Sequence, residues 1–247
     1  MLKHIEIKNK EGRILRGYLT LPEEFNGDLV LMYHGFTGNK TEHAGHFRNL
    51  SRLLAAEKIA SLRMDFSGNG ESDGEFSDFT FDTLIAEANL MLDYAKTISD
   101  VKRVMLLGFS MGGAVAAMVA AKRYQEIDKM VLWSPAGNIL EKIKKAFESG
   151  IKLENGNVMM GTFELSKAMV ESVNRYDVYQ GIENFKKPVL IIHGRKDLAV
   201  NYLISAIYSV RFFNSHLFYL NEAGHGYDSL ADREELYQRT LEFLKTR

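Results

Sequence analysis

The chain contains no cysteine among its 247 residues. This absence excludes a disulfide framework, a thiolate nucleophile and a cysteine-ligated metal, and it leaves the cellular compartment undetermined. Charge of one sign is not in excess either: the formal net charge is -1, so the composition indicates neither a nucleic acid nor an acidic membrane as a partner. No repeat, low-complexity tract or glycine- and proline-rich linker interrupts the chain. A chain of this length and composition is typical of one globular domain.

Long hydrophobic runs are also missing. The longest apolar stretch, residues 112–121, is about half of the ~20 residues that a membrane-spanning helix needs. Residues 1–8 alternate apolar and polar side chains, as a strand does, and lack the apolar core of a secretory signal. We therefore expect a cytoplasmic protein with no integral membrane association.

Eight short runs of β-branched and aliphatic residues predict strands. The first two alternate, as in an antiparallel pair with one wet face, whereas the later ones are almost continuously apolar, as in strands buried on both faces. Segments with helical spacing lie between them, which predicts an α/β fold: a mostly parallel sheet of about eight strands with helices on both faces. The predicted strands are residues 2–8, 13–21, 29–33, 59–64, 104–107, 129–133, 189–192 and 217–220, and the predicted helices are residues 47–57, 81–98, 111–124, 200–213 and 233–245.

The segment between the sixth and seventh predicted strands is too long for a simple crossover. It contains a predicted helix at 139–147, an Asn155-Gly156 hairpin pattern within 151–160, and a second predicted helix at 162–176. Two interpretations are open, namely an extra packing layer and a cap over an active site. We expect a single domain over residues 1–247 with a cap insertion at 136–184.

The segment 104–113 predicts a buried strand that runs through Gly-Phe-Ser-Met-Gly into an alanine-rich helix. A serine on such a strand-to-helix turn has strained backbone geometry, and glycines two residues before and after it avoid clashes with neighbouring elements. The competing interpretation is a glycine-rich helix start that the serine only caps. The strand before the motif and the helix after it favour Ser110 as a nucleophile.

Two more candidate residues follow predicted strands. Asp197 lies in the short loop after the strand at 189–192, and His225 lies between two glycines after the strand at 217–220. Each alone would be an ordinary loop residue, but the chain order Ser, Asp, His is the one that the α/β-hydrolase fold produces. His225 is predicted to accept the proton of Ser110 as general base, and Asp197 to orient the imidazole.

An oxyanion hole is predicted from two backbone amides. Met111 follows the nucleophile at a helix start, where an unpaired N–H and the positive end of the helix dipole favour negative charge. Phe36 lies in the loop after the third strand, directly after His34-Gly35. A general-base role for His34 is disfavoured because it precedes the serine in the chain.

Patterns for cofactors and metals are incomplete. In residues 68–74 the third glycine comes one residue too late for a dinucleotide loop, and residues 38–41 lack the Gly-Lys-Thr of a phosphate loop. His43 and His46 share a helical face but have no third ligand beside them. We expect neither a cofactor nor a metal.

The whole pattern resembles the α/β-hydrolase superfamily over essentially the full chain, and within it bacterial cinnamoyl or feruloyl esterases most closely. The motifs that carry this resemblance are His34-Gly35-Phe36-Thr37-Gly38, Asp65-Phe66-Ser67-Gly68-Asn69-Gly70-Glu71-Ser72-Asp73-Gly74, Ser134-Pro135-Ala136, His193-Gly194 with Asp197, and Gly224-His225. The sequence departs from those esterases at Phe109, Met111 and Asn69, where they usually carry His, Gln and His.

The resemblance implies hydrolysis of esters between hydroxycinnamic acids and sugars or small alcohols, beneath a cap inserted after the sixth strand. Phe109-Ser110-Met111 is equally typical of monoacylglycerol lipases and general carboxylesterases. Apolar cap residues are candidates for the acyl pocket without deciding between aryl and alkyl chains, and they are Phe147, Val158, Met159, Met160 and Phe163.

Several alternatives to this interpretation stay open. A thioesterase or acyltransferase, a peptidase of the same fold, and a catalytically silent receptor for a small ester-like ligand all fit the same pattern. The expected partner is a small-molecule ester, and the sequence leaves a homodimer open.

Overall fold

A computed structural model describes residues 1–246. Its strands are β1 Leu2–Lys8, β2 Ile14–Thr20, β3 Asp28–Tyr33, β4 Ala60–Met64, β5 Arg103–Phe109, β6 Lys129–Trp133, β7 Ile151–Lys152, β8 Val158–Met160, β9 Phe163–Leu165, β10 Val189–Gly194 and β11 Ser215–Leu220. Its helices are α1 His46–Ala56, α2 Phe81–Thr97, α3 Met111–Lys122, α4 Ile139–Ser149, α5 Lys167–Val173, α6 Leu203–Arg211 and α7 Leu230–Lys245. Short 3-10 turns occupy His43–Gly45, Phe76–Asp78 and Ile182–Asn184.

Eight strands form one twisted sheet in the order β1-β2-β4-β3-β5-β6-β10-β11. The strand β2 pairs antiparallel with both β1 and β4, and every other neighbouring pair in this sheet is parallel. The predicted mostly parallel sheet of eight strands is therefore confirmed. Because β3, β5, β6, β10 and β11 point the same way, the loops that follow them meet at one edge of the sheet.

The sheet separates two hydrophobic clusters. In β3, Leu29 and Leu31 face the cluster that contains α2 and α3, whereas Val30 and Met32 face the cluster that contains α1 and α7. A strand buried on both faces needs apolar residues at every position, which explains the continuous runs in the sequence. Among the helices of residues 1–246, none combines the length and the apolar character that crossing a bilayer requires.

Three strands, β5, β10 and β11, extend two residues beyond a predicted end. The strand β10 continues to Gly194, because His193 and Gly194 pair in register with the neighbouring strand β11. The edge strand β11 begins at Ser215, two residues earlier than predicted, and its residues alternate in exposure. An edge strand does not need a continuous apolar run, so hydrophobicity alone underestimates its length.

The insertion after β6 contains α4, a small antiparallel sheet and α5. The strands β7 and β8 form the hairpin predicted from Asn155-Gly156, and β9 adds to the other side of β8. The helix predicted over 162–176 is wrong at its start, because the first residues after the hairpin continue the sheet as β9. The helix α5 begins only after Ser166, whose hydroxyl caps it by accepting a hydrogen bond from the Met169 amide.

Candidate active site

Ser110 lies on the turn between β5 and α3, with φ 55° and ψ -118°. Few non-glycine residues adopt a positive φ, so neighbouring groups must hold this conformation. The Ser110 amide donates to the Trp133 carbonyl at 2.9 Å, and the Ser110 carbonyl accepts from the Ala136 amide at 2.9 Å. The serine backbone is thus fixed to the end of β6 and to the first residue of the insertion.

The glycines of the motif allow this turn to pack. A Cβ atom added to Gly108 would lie 2.1 Å from the Gly112 carbonyl oxygen, and one added to Gly112 would lie 1.9 Å from the Tyr33 carbonyl oxygen. Neither distance is sterically allowed. The spacing of the two glycines around Ser110 therefore follows from the close approach of α3 to β5 and β3.

The structure brings Ser110, His225 and Asp197 into one hydrogen-bonded chain. The Ser110 hydroxyl lies 3.0 Å from His225 Nε2, and His225 Nδ1 lies 2.6 Å from Asp197 Oδ2. With the imidazole proton on Nδ1, the ring donates to the carboxylate and accepts the serine proton at Nε2. This is the geometry that nucleophilic activation of a serine requires.

Asp197 is buried and its carboxylate is well supplied with donors. Its Oδ1 accepts from the Ala199 amide at 2.8 Å and from the Val200 amide at 2.7 Å. Burial acts to raise the pKa of this carboxyl, but it is outweighed by the hydrogen bonds from His193, His225 and the Val200 amide together with the charge of His225. The resulting pKa of Asp197 lies well below its usual value, so the group stays ionised beside His225.

The loop that carries His225 is held from below by Tyr227, which is fully buried. Its hydroxyl donates to the Ile192 carbonyl at 3.0 Å and accepts from the Ser134 hydroxyl at 2.9 Å. Burial raises the pKa of Tyr227 far above its usual value, so the hydroxyl remains a donor. The Phe109 ring, 5.0 Å from the imidazole, supports His225 from the side.

The two predicted oxyanion donors flank the serine. Phe36 lies in the loop after β3 and lines the same pocket as Ser110, and Met111 is the first residue of α3. In the part of the chain that the structure describes, neither the Phe36 nor the Met111 amide donates a hydrogen bond to another group. Both donors are therefore available to a ligand.

Sequence reasoning missed Glu42, which shapes the loop after β3. Its Oε2 accepts from the Gly35 amide at 2.7 Å and its Oε1 accepts from the His43 amide at 2.9 Å. The Glu42 backbone has φ 62°, an uncommon value for a residue with a side chain. No motif marks this position, because the carboxylate acts on a backbone amide seven residues earlier.

A buried ion pair ties the same loop to the turn after β4. The Lys40 ammonium lies 2.6 Å from Asp65 Oδ2 and 2.8 Å from Glu71, and the Lys40 and Glu71 amides also donate to the Asp65 carboxylate. The side chain of Asp65 is fully buried. The motif at 65–74 thus forms a structural turn that is tied to the loop after β3.

The other histidines considered from the sequence have partners outside the chain formed by Ser110, His225 and Asp197. His34 Nε2 accepts from the Phe66 amide at 3.2 Å, and His46 contacts the Tyr237 hydroxyl and the Gly226 carbonyl. His43 Nε2 lies 2.6 Å from Asp228 Oδ1 at the rim of the pocket. Within residues 1–246, no group of three or more His, Asp or Glu side chains is arranged to hold a metal ion.

The pocket beside Ser110 has a volume of about 470 Å³ and a polar rim. That rim is formed by Thr37, Asn39, Glu42, His43 and Asp228. A second pocket of about 500 Å³ includes the first residues of β3 and β5, Asp28 and Arg103, and therefore lies at the opposite edge of the sheet. Of these two pockets, the one beside Ser110 contains both Ser110 and His225.

The cap candidates Phe147, Met159, Met160 and Phe163 do not line the pocket at Ser110. Phe147 packs against the main core. Met159 and Phe163 line a neighbouring groove of about 420 Å³. Val158 is buried and Met160 is half-buried in the same small sheet.

A row of aromatic rings connects the insertion to the loop after β3, which carries Phe36. The Phe163 ring lies 4.8 Å from Phe76, and Phe76 lies 5.4 Å from Phe36. These distances are typical of packed aromatic pairs. Phe76 therefore links the insertion to the loop after β3.

An eight-stranded, mostly parallel sheet with a serine on a strand-to-helix turn and a histidine–aspartate pair at the same edge defines a serine hydrolase of the α/β-hydrolase fold. Residues 26–160, more than half of the chain, match the model of the family described as serine aminopeptidase, S33. The chain belongs to this family.

Characterised relatives match only part of their own length. Human monoglyceride lipase is 34% identical over 133 residues, which are 51% of this chain and 41% of that protein. The human serine hydrolase BPHL is 28% identical over 193 residues, which are 68% of this chain and 62% of that protein. The chain therefore spans less than two thirds of these relatives.

Solved structures match over nearly the whole chain. Est1E from Butyrivibrio proteoclasticus, solved with ferulic acid bound, superposes with a TM-score of 0.86 at 28% identity and covers 97% of both chains. An esterase from Exiguobacterium antarcticum, with a TM-score of 0.75 at 19% identity over 99% of this chain and 100% of that one, shares the fold. The resemblance to α/β-hydrolase serine esterases is confirmed.

Proposed function

We propose that this protein hydrolyses carboxylic esters through an acyl-enzyme, with Ser110 as nucleophile, His225 as general base and Asp197 as the acid that orients the histidine. The observation that carries the proposal is the unbroken hydrogen-bonded chain from the serine hydroxyl to the buried carboxylate. Est1E, which is similar over 97% of its length, supports the same assignment.

The chemical steps follow from these contacts. As Ser110 Oγ attacks the ester carbonyl, its proton moves to His225 Nε2, and the imidazolium is stabilised by Asp197. The C–O bond to the alcohol then breaks and Nε2 returns the proton to the leaving alkoxide. Water repeats the sequence on the acyl-enzyme, releasing the acid and restoring Ser110. The Phe36 and Met111 amides hold the oxyanion in both halves.

For the substrate, we favour an ester of a hydroxycinnamic acid with an alcohol that carries further hydroxyl groups. The ferulic acid bound to Est1E supports the acyl group, and the polar rim of the pocket supports a hydroxylated leaving group. Residues 136–184 serve as a cap within one domain over residues 1–247, and Phe163 and Met159 in its small sheet are the candidates for contact with an extended acyl group.

A monoacylglycerol is the second candidate substrate. The match to human monoglyceride lipase supports it, and glycerol would satisfy the same polar rim. The family description, serine aminopeptidase, makes a peptide a further candidate substrate. A panel of methyl ferulate, a monoacylglycerol, an acyl thioester and an aminoacyl anilide would rank these classes by kcat/KM.

Ser110→Ala tests the proposal. We expect turnover of p-nitrophenyl acetate to fall by at least about 10⁴-fold, because loss of a serine nucleophile leaves only binding and oxyanion stabilisation. Ser149→Ala, which removes an exposed hydroxyl on α4, is the matched control and should leave kcat unchanged. Wild-type turnover in Ser110→Ala would refute the mechanism, and a wild-type protein that binds the panel without turnover would favour a silent receptor.

A further inference from the structure

A second histidine contacts the carboxylate of the hydrogen-bonded chain. His193 is the penultimate residue of β10 and is fully buried. Its Nε2 lies 3.0 Å from Asp197 Oδ2, the same oxygen that binds His225 Nδ1 at 2.6 Å. One carboxylate oxygen is therefore shared by two imidazoles that come from different strand ends.

The neighbours of His193 decide where its proton lies. Nε2 is also 3.0 Å from the Val200 carbonyl oxygen, so both neighbours of this nitrogen can only accept. Nε2 therefore carries a hydrogen in the neutral ring as in the protonated one. The Ser205 hydroxyl lies 2.6 Å from Nδ1 and fixes the other side of the ring. His193 is accordingly a donor to Asp197.

This donor completes the coordination of the carboxylate. A carboxylate offers about four sites for hydrogen bonds. In Asp197, the Ala199 and Val200 amides occupy Oδ1, and His193 and His225 occupy Oδ2. All four sites are filled by protein groups, so the carboxylate has no free site for water and no freedom to rotate away from His225.

We propose that His193 is a positioning residue for the ester hydrolysis: it donates from Nε2 to Asp197 Oδ2 and thereby keeps that oxygen aimed at His225 Nδ1. The inference rests on the proposed function. His193 touches no reacting atom, and it acts only through Asp197. Without this donor, Asp197 has an unfilled site that water or a rotated carboxylate would use, and His225 spends less time in the tautomer that accepts the serine proton.

The first experiment compares two substitutions of His193 with the wild type. His193→Leu removes the donor, and we expect kcat for p-nitrophenyl acetate to fall by about 10²-fold with KM nearly unchanged, since misplacement of a supporting group costs about this much. His193→Gln places an amide N–H close to the position of Nε2 and should restore most of the lost kcat. A wild-type kcat in folded His193→Leu would overturn the proposal.

The second experiment separates positioning from a merely structural role. In the Asp197→Asn background the residue through which His193 acts is already altered, so His193→Leu should change kcat by less than about twofold. An undiminished loss in that background would show that His193 acts on the fold and would overturn the proposal. Thermal unfolding of each variant shows whether it is folded at the assay temperature.

If His193→Leu does not fold, Ser205→Ala provides a second test of the positioning role of His193. This change leaves His193 in place but releases its Nδ1, and we expect a several-fold fall in kcat, smaller than about 10²-fold, that disappears in the Asp197→Asn background. The proposal would be overturned if Ser205→Ala left kcat unchanged and the kcat of His193→Gln were no higher than that of Asp197→Asn. Wild-type protein inactive on every ester would instead refute the proposed function.

Discussion

At the scale of single residues, the three proposed catalytic side chains depend on neighbours that do not react. Ser110 keeps an unfavourable φ because Trp133 and Ala136 bond its backbone. His225 rests on Phe109 and on the loop that Tyr227 holds. A reactive geometry costs conformational strain, and these contacts offset it.

The loop after β3, which carries the proposed oxyanion donor Phe36, gives a prediction at this scale. Glu42→Ala removes the acceptor for the Gly35 amide, which lies next to the proposed donor Phe36. We expect kcat for an ester to fall by about tenfold with little change in KM, because an oxyanion donor acts mainly in the transition state.

Asp228→Ala is the matched control for Glu42→Ala. It removes another carboxylate from the same pocket rim without touching the Gly35 amide. Equal losses in the two variants would mean that the charge at the rim, and not the loop geometry, controls the rate.

Residue patterns predict Ser110, Asp197 and His225 because each follows a strand, and parallel strands end at one edge of a sheet. Glu42 and His193 were not assigned a role, because no strand-end pattern reveals what they contact. Their partners are a backbone amide and a shared carboxylate oxygen, and these contacts exist only after the loops have folded. The sequence around His193 does not indicate which ring nitrogen carries the proton, and the role of this residue depends on that.

At the scale of elements, the loops after β3 and β4 behave as one unit because Lys40 and Asp65 pair in the interior. The Asp65 carboxylate also packs tightly against its own turn, since a Cβ atom added to Gly70 would lie 2.3 Å from Asp65 Oδ2. Breaking one partner of a buried pair leaves a charge without compensation. The loop after β3 therefore takes its shape partly from the turn that follows the neighbouring strand β4.

Lys40→Met tests this coupling. The substitution keeps an unbranched side chain but leaves the Asp65 carboxylate without its ammonium, and we expect the free energy of unfolding in urea to fall by about 3 kcal/mol. Lys58→Met, which breaks the exposed pair with Glu24, is the control and should change little. A similar, small effect of both substitutions would mean that the buried pair is dispensable.

Element types were predictable for the longer segments with one or both faces buried. The small strand β9 was not, because Phe163–Leu165 is only three residues long and its residues satisfy a helical pattern as well as a strand. Pairing with β8 decides the outcome there. The secondary structure of a short segment depends more on the elements it pairs with than on its own sequence.

At the scale of the whole molecule, Asp197 affects both the stability of the fold and the proposed activity. Its pKa is lowered from an ordinary 3.8, so the folded state holds the ionised form more tightly than the unfolded chain does. A lowered carboxyl pKa contributes stability that is fully present above the unfolded value and is lost as the pH falls through the folded one.

The pH dependence of unfolding tests this linkage. The stability advantage of the wild-type protein over Asp197→Asn should shrink as the pH falls below about 4, because the unfolded chain then takes up a proton that the folded carboxylate does not. Urea unfolding at several pH values measures it. Asp100→Asn, at an exposed turn, should show no such trend, and a difference between wild type and Asp197→Asn that grows as the pH falls below about 4 would contradict the assignment.

The most direct test of the central claim is to trap the acyl-enzyme. Wild-type protein mixed with p-nitrophenyl acetate and quenched in acid within the first turnovers should carry an acetyl group on the peptide that contains Ser110, as peptide mass spectrometry would detect, and Ser110→Ala should carry none. Efficient ester hydrolysis with no adduct, or with an adduct on another residue, would contradict the account.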